Sequence, residues 1–520
     1  MAEPREAHAD PVWASWFRLG PQPAIVTRLA RSGWEDPAGM LKTMEDFEQL
    51  TRRRVGIVSP SRGDSLLRRM TEVVGGPLGR RTAPGIVEPA FFTVERVLTV
   101  LVIVSGLLAL LFKFHCRQVG WSTPDQYSTT CWSELPNAFK AKGLAGSFPY
   151  FSPGSTFNYP VLIGAAAGIT AWLTGPAGHG MPRQLAFFDL NAGLIIGMWL
   201  AAVVATSRSA RRRPWDAAIL ALSPVLLFTA LTSWDMWAVA LVAVGMLLFA
   251  RRRTFSAGAV LGLASCAQPY AMLILLAVLL LSLRTGRWLP FLETAAAAAA
   301  AALALTLPIL VLNPASWLAY FTDRMADAAT PSSLYGAYNL VAQRLGHESL
   351  TISGANSVEI VFGVLILLAT AWLVLAAPRR PRMAQLAFLL VAGYSLVDKH
   401  AVPQHVVWLI PLLALARPKW RTALLWQCFQ ILQFLAWQLF LGRELGDGNA
   451  QHSIDMPYFV LAAALGGIAT LVVMALVIRD IVHPAYDVVR RAGADDPQGG
   501  LLERSPDRLI LPLPGRARVT

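Results

Sequence analysis

Charge is what this sequence has least of. Asp, Glu, Lys and Arg make up 15% of its 520 residues against 55% hydrophobic residues, where a soluble domain carries about 25% charge. A soluble globular protein is thereby excluded, and a mean hydropathy of +0.48 agrees. Nucleotide-binding motifs are missing as well: there is no Walker A sequence, no GxGxxG after a strand and no GxSxG. Any sugar or phosphoryl donor must therefore arrive through the membrane. No metal motif occurs, because the histidines are dispersed and His400 and His405 have no companion acid at ligand spacing. No cofactor is expected. Cysteine is limited to Cys116, Cys131, Cys266 and Cys428. The first two share one loop, where a disulfide is allowed if that loop is extracytoplasmic; two free thiols are the alternative.

Long apolar runs are what the sequence does have. They recur from Val94 to Ile478, many reaching the ~17–25 residues that a spanning helix needs. Lipid leaves the backbone only helices or closed barrels, and runs of this length exclude barrel strands. The expected fold is an all-α, polytopic transmembrane bundle of roughly 11–13 spans. The runs lie at about 94–114, 158–174, 185–207, 215–232, 234–250, 255–283, 288–312, 358–378, 384–397, 402–416, 422–441 and 456–479. Residues 1–93 form a cytoplasmic N-terminal region, 94–479 the membrane domain and 480–520 a cytoplasmic tail. Within the first region, Ser61 to Arg81 reads as a short amphipathic surface element. Residues 1–55 resemble nothing that follows, are either disordered or mis-started, and are assigned no function. The first long run begins too late for a cleavable signal peptide.

The net charge of +13 sits in short clusters between apolar runs, such as Arg208 to Arg213, Arg251 to Arg253 and Arg379 to Arg382. This is positive-inside patterning for a multi-pass plasma-membrane protein with both termini cytoplasmic. Without a basic and aromatic face outside the lipid segments, nucleic acid is not an expected partner. The loops 115–159, 313–357, 397–404 and 442–455 then fall outside. Strict alternation puts Arg208 to Arg213 on the wrong side. Either 158–174 is re-entrant, with 255–283 broken at Gln268 and Pro269 into two short helices, or the charge rule fails locally. The first option is preferred because it keeps all the basic clusters inside and brings Asp235 and Gln268 to the outer face. The octa-alanine stretch Ala295 to Ala302 suits a close-packing helix face, and a coding bias explains it equally well.

Ionisable residues near membrane depth are functional candidates because each is costly unless paired or hydrated. Three groups qualify. The loop after the first span carries Asp125, Trp132 and Glu134 and closes on Tyr159; a carboxylate there suits deprotonation of an acceptor hydroxyl, an ordinary solvated loop acid being the alternative. Asp235 lies between two apolar runs, either functional or a helix N-cap. The knot Asp398-Lys399-His400-Ala401-Val402-Pro403-Gln404-His405 offers donors for an anionic head group, unless its lysine merely snorkels.

In order along the chain, several stretches resemble actinobacterial membrane proteins related to glycosyltransferase family 87, within the GT-C superfamily. They are Cys131-Trp132-Ser133-Glu134, Phe157-Asn158-Tyr159-Pro160, Phe188-Asp189-Leu190-Asn191, Arg213-Pro214-Trp215-Asp216, Ser233-Trp234-Asp235-Met236, Gln268-Pro269-Tyr270, Lys399 with Pro403-Gln404-His405, and Asp495-Asp496-Pro497-Gln498-Gly499-Gly500. The resemblance extends over about residues 61–500. It implies inverting transfer of mannose or arabinofuranose from a polyprenyl-phosphate sugar to an envelope glycolipid or polysaccharide on the outer face. Glu134 stands where relatives look like Tyr-Ser-Asp and would be the base, with Asp125 in reserve. Lys399, His400, Gln404, His405 and Gln268 would attend the donor phosphate, and Asp235, Tyr159 and Trp132 would support them. Gln268 replaces a lysine of relatives, and His405 a tyrosine. A non-catalytic envelope-assembly protein and a lipid or solute transporter are the competing readings. The transporter predicts broken helices related by internal symmetry, and no such repeat is apparent.

Overall fold

The computed structural model describes residues 58, 63–73, 93–151, 157–446 and 450–511. The region 1–55 lies outside them, as do 61–62 and 74–81 of the amphipathic element expected at 61–81. Among the described residues the chain is helical throughout and contains no strand. α1 is Ser65–Val73. α2, Val94–Phe112, opens on Thr93, whose hydroxyl accepts the Arg96 amide. The loop behind it contains α3, Glu134–Ala141, and leads to α4, Val161–Leu173. α5 spans Met181–Ser209, α6 Asp235–Ala250, α7 Thr254–Ser265, α8 Met272–Thr285 and α9 Leu289–Leu312. α10, Pro314–Ala326, and α11, Leu334–Arg344, are short. α12, Ile352–Ala376, α13, Met383–Val397, α14, Val406–Ala416, α15, Trp420–Leu445, and α16, Met456–Val482, complete the bundle.

Six of these, α2, α5, α9, α12, α15 and α16, are long and apolar enough to cross a membrane. α4, α6, α7, α13, and the segments Pro269–Thr285 and Pro403–Ala416, are shorter apolar helices. Lipid-facing side chains are greasy: Leu111, Trp172, Val311, Leu312 and Leu368 are all exposed. The interior is packed with Ala, Val, Leu and aromatic side chains instead.

Contacts sort the loops onto two ends. At one end, Arg208 pairs with Glu95, Arg211 with Glu503, Arg284 and Arg380 with Asp507, Arg382 with Asp487 and Arg417 with Asp480. The arginine clusters thus share one face, here the basic end. At the other end, Arg117 meets Asp189, the Glu134 amide donates to Thr232 O at 2.8 Å and Leu162 N to Cys266 O at 2.9 Å. α4 does not run to the basic end. Arg183, near the start of α5, donates to Ala171 O at the far end of α4 and to Ala145 O in the preceding loop, so both ends of α4 stay with the Glu134 loop. The 255–283 run is broken at Gln268 and Pro269, as the preferred option required.

Two expected spans are corrected. Residues 215–232 do not form one helix but a 3₁₀ turn, Pro214–Ala217, followed by Ala218–Ala221 and Pro224–Thr229. Pro214 and Pro224 each open a new segment, because proline lacks the N–H that a continuing helix requires. The 402–416 run begins as a 3₁₀ turn at Pro403–His405 for the same reason.

The octa-alanine stretch is a packing face. A Cβ on Gly258 of α7 would lie 2.1 Å from Thr294 O, and one on Gly262 would lie 2.2 Å from Ala298 O. Small residues on both helices let the backbones touch, the usual means of joining helices in lipid. Gly262→Val is expected to lower the thermal unfolding midpoint in detergent, at a cost of about 1–3 kcal/mol or more. Ala300→Val, on the exposed side of α9, serves as the comparison and should change little.

The tail folds back onto the basic end. Asp496 accepts the Met383 amide at 3.1 Å, Gln498 donates to Ser209 O at 3.0 Å, and a Cβ on Gly500, at φ +56°, would meet Phe249 O at 2.2 Å. The Asp-Asp-Pro-Gln-Gly-Gly stretch is therefore a clasp across the ends of α5, α6 and α13.

Candidate active site

The site is assembled from loops and helix ends at the face opposite the basic end. Its first element is the loop after α2. Cys116 and Cys131 are joined by a disulfide, with Cα atoms 5.8 Å apart. Lys113 donates to Trp132 O at 2.7 Å. Ser133 donates to Leu231 O at 2.9 Å and caps α3 by accepting the Leu135 amide. These ties place Glu134 in the first turn of α3, beside Thr232 and Asp235. Closing a 15-residue separation is worth about 3 kcal/mol in the chain-entropy account. Cys131→Ser is expected to lower the unfolding midpoint and to abolish the mobility shift that the wild type shows on reduction.

Glu134 is partly exposed. Its carboxyl is pushed up to about 7, mainly by burial; the Tyr159 hydroxyl bonded to it works the other way, and the nearby charge of Asp235 adds to the rise. Tyr159 in turn is held well above the ordinary phenol range by burial and by Glu134, so it remains a hydrogen-bond donor. Its ring lies edge-on to Trp234, with centroids 5.7 Å apart.

Asp235 is the hub. It is buried and takes hydrogen bonds from Gln268 at 2.6 Å, Ser233 at 2.5 Å and Trp408 Nε1 at 3.1 Å. It is not the N-cap: Trp234 occupies that position and the Asp235 side chain turns to α8 and α14 instead. Gln268 reaches it because Pro269 ends α7 and leaves Gln268 with extended backbone. Trp408 stacks with two rings, His405 at 3.9 Å and Tyr270 at 4.6 Å, both nearly parallel to it.

The third group from the sequence is present but arranged differently. Lys399 is buried and its ammonium points inward, donating to Asp327 O at 2.8 Å and Met325 O at 3.4 Å. It neither snorkels nor lies open; it secures the last turn of α10. His400 binds Arg324 O at 2.9 Å. Gln404 Oε1 and His405 Nδ1 are buried without a hydrogen-bond partner among the described residues.

What sequence reading missed is Arg324. It forms an ion pair with Asp398, touches the Tyr394 hydroxyl at 3.2 Å and lies 3.7 Å from Glu359. Burial disfavours its charge, but Asp398, Tyr394, Tyr320 and Glu359 more than offset this and raise its pKa. The charge of Asp235 also reaches Tyr320 and His405, so the carboxylate group and the Arg324 group are neighbours. A signal existed: an arginine in a loop that charge bias places outside is out of pattern.

Asp125 is not brought in. It starts a one-turn helix and pairs with His115 at 2.8 Å, both partly exposed. Trp132 stacks on Tyr127 with centroids 6.2 Å apart and holds Lys113 through its carbonyl. Among the described residues, no cluster of three or more His, Cys, Asp or Glu is arranged to hold a metal ion.

Chemically, the arrangement pairs a carboxyl able to accept a proton near neutral pH with a second, buried carboxyl group, Asp235, while Arg324 is paired with Asp398. Residues 157–398 match the family model described as glycosyltransferase family 87. The match takes in Tyr159, Asp235, Gln268, Arg324 and Asp398; Glu134 precedes it and Lys399 follows it. No curated protein shows a significant match to the chain.

Proposed function

Because the chain is a membrane protein of glycosyltransferase family 87, we propose that it moves mannose or arabinofuranose from a polyprenyl-phosphate donor to an envelope glycolipid or polysaccharide, as in actinobacterial envelopes, with inversion at the transferred carbon. Glu134 is the base, and the observation that carries this is its place in the first turn of α3, with its amide on Thr232 O next to the Ser233-Trp234-Asp235 stretch; burial there pushes its carboxyl up to about 7. A general base works best when its pKa lies near the operating pH. It takes the proton of the acceptor hydroxyl as that oxygen bonds the anomeric carbon and the bond to the donor phosphate breaks, its electrons leaving with the phosphate. Asp235, saturated by three donors, stays in place as a negative charge opposite the cationic character that develops on the sugar.

Arg324 attends the leaving phosphate as the charge, while His400, donating to the Arg324 carbonyl, and Lys399 hold the α10 turn that carries it. Gln404 and His405 line the same region, and Gln268 orients Asp235. The basic end faces the cytoplasm, with both termini, because all the arginine clusters lie there; the Glu134 loop then faces outward in the plasma membrane. The division at residues 94 and 479 into N-terminal region, membrane domain and tail goes with this topology.

A membrane assay offering polyprenyl-phosphate mannose and polyprenyl-phosphate arabinofuranose separately tests the donor assignment. Transfer from one of them supports it, and transfer from neither overturns it. Arg324→Gln is expected to raise the KM for the donor about tenfold or more, since a charge-assisted contact is worth ~1.5–3 kcal/mol. An unchanged donor KM removes Arg324 from the phosphate.

A further inference from the structure

His405 also lines a cavity, bordered by residues of α11, α13, α14, α15 and α16, that the proton-transfer chemistry does not use. Its volume is about 120 Å³, roughly the share of four waters in the liquid, which limits an occupant to a single small ring. The wall on α16 is made by Ala463, Gly466 and Gly467, and the wall on α15 by Gln430 and Gln433. Leu334 of α11 is one of the lining residues and is 54% exposed, so the cavity is open to the surface beside it.

The polar groups in it are neutral hydrogen-bonding groups. Gln430 donates to Gly466 O at 3.0 Å and to Thr470 Oγ1 at 3.3 Å, which fixes its amide and turns the remaining acceptor toward the space. His405 Nδ1 is buried with no partner among the described residues. Having essentially no accessible surface, that nitrogen does not itself face the space, so the glutamine amides are the groups that meet a ligand. None of the lining residues carries a carboxylate, an ammonium or a guanidinium. An anion in this space would have no counter-charge, whereas Arg324 provides one a short way off.

We propose that this cavity is a subsite for an uncharged, hydroxyl-bearing sugar residue of a membrane-anchored acceptor, adjacent to the residue that receives the transferred sugar. It rests on the glycosyltransferase reading above. The Gln430 and Gln433 amides pair with the sugar hydroxyls, the alanine and glycine wall takes the C–H face of the ring, and the opening beside Leu334 lets the lipid portion leave the cavity. Binding of a remote, non-reacting residue of this kind holds the acceptor hydroxyl at Glu134.

The test uses the full chain in phosphatidylcholine nanodiscs and an octyl β-D-glucoside bearing a diazirine in its alkyl chain, with adducts mapped by peptide mass spectrometry. Labelling is expected in 332–337 and 460–467 and should fall about tenfold with excess octyl glucoside, while octyl phosphate and octanol compete poorly. Ala463→Trp, which fills the space, should abolish it. Gln433→Leu, which keeps the space and removes an amide, should weaken it without lowering the unfolding midpoint, so that loss of fold is told apart from loss of the subsite. Equal competition by octyl phosphate, equal competition by octanol, or labelling spread over all lipid-facing helices overturns the subsite. The measurement needs no turnover. If Glu134→Gln leaves transfer unchanged while glucoside-specific labelling persists, the assignment of the base fails and the subsite stands.

Discussion

Glu134→Gln is expected to lower sugar transfer by about 10²–10⁴-fold, the usual contribution of a positioned general base, with little change in the unfolding midpoint. Glutamine has the same length and can still accept the Tyr159 hydroxyl bond, so the loop tied down by Ser133 and by the Cys116–Cys131 bridge should keep its place. What is lost is the capacity to take a proton. The wild-type pH profile gives an independent reading. A base acts when deprotonated, and the Glu134 carboxyl lies at about 7, so kcat/KM should rise with pH through about 7 and then level off. Asp235→Asn removes a negative charge that raises the Glu134 carboxyl; the rising limb should therefore move to lower pH even as the rate falls. Transfer that is unchanged in Glu134→Gln, or a limb that stays put in Asp235→Asn, would remove this carboxyl from the chemistry.

The largest loss of stability is expected from Arg382→Met, at the opposite end of the molecule. Arg382 is fully buried. It donates to both Asp487 oxygens at 2.7 and 3.1 Å, and to the carbonyls of Leu415 and Ala416 at 2.9 and 2.6 Å. One side chain thus joins the start of α13, the end of α14 and the segment that follows α16. Removing it leaves a buried carboxylate without its counter-charge, held only by the Gln385 amide and the Val489 N–H, and takes a donor from two helix-terminal carbonyls, which costs about 3–5 kcal/mol. The expected readout is a markedly lower unfolding midpoint in detergent, while Arg382→Met combined with Asp487→Asn recovers part of the loss because the orphaned charge is gone. Burial disfavours the Asp487 anion, but Arg382 more than offsets it and the folded-state pKa lies below the ordinary aspartate value. Its contribution is accordingly present above that ordinary value and is lost as pH falls through the depressed one. Wild-type stability should thus decline at acid pH more than that of the double variant.

The clasp also shows why tail residues that read as a mere motif matter to the fold. Asp496, Gln498 and Gly500 touch positions far away in sequence, and nothing in hydropathy or periodicity indicates such partners. Arg324 and Lys399 show the same limit. Lys399 carries the more conspicuous sequence signal, in a knot of donors, yet its ammonium is used on backbone carbonyls, while Arg324 stands beside the carboxylates. A sequence reveals which charges occur near the bilayer but not which way a long side chain turns.

The scarcity of charge determined from the sequence alone that the protein is an all-α membrane bundle, since lipid allows few other ways to satisfy the backbone. Clustered arginines determined which loops share a face, and the break at Gln268 and Pro269 followed from the need to keep them together. Trp132-Ser133-Glu134, Ser233-Trp234-Asp235 and Gln268 were legible as candidates because polar groups at that depth are costly. Only the tertiary structure decided that Glu134, Tyr159, Asp235 and Gln268 meet, that Asp125 stays apart with His115, and that the 215–232 run is split by its prolines. Those outcomes depend on contacts between residues tens to hundreds of positions apart, set by how helices pack and where their ends fall, and local composition carries no record of them.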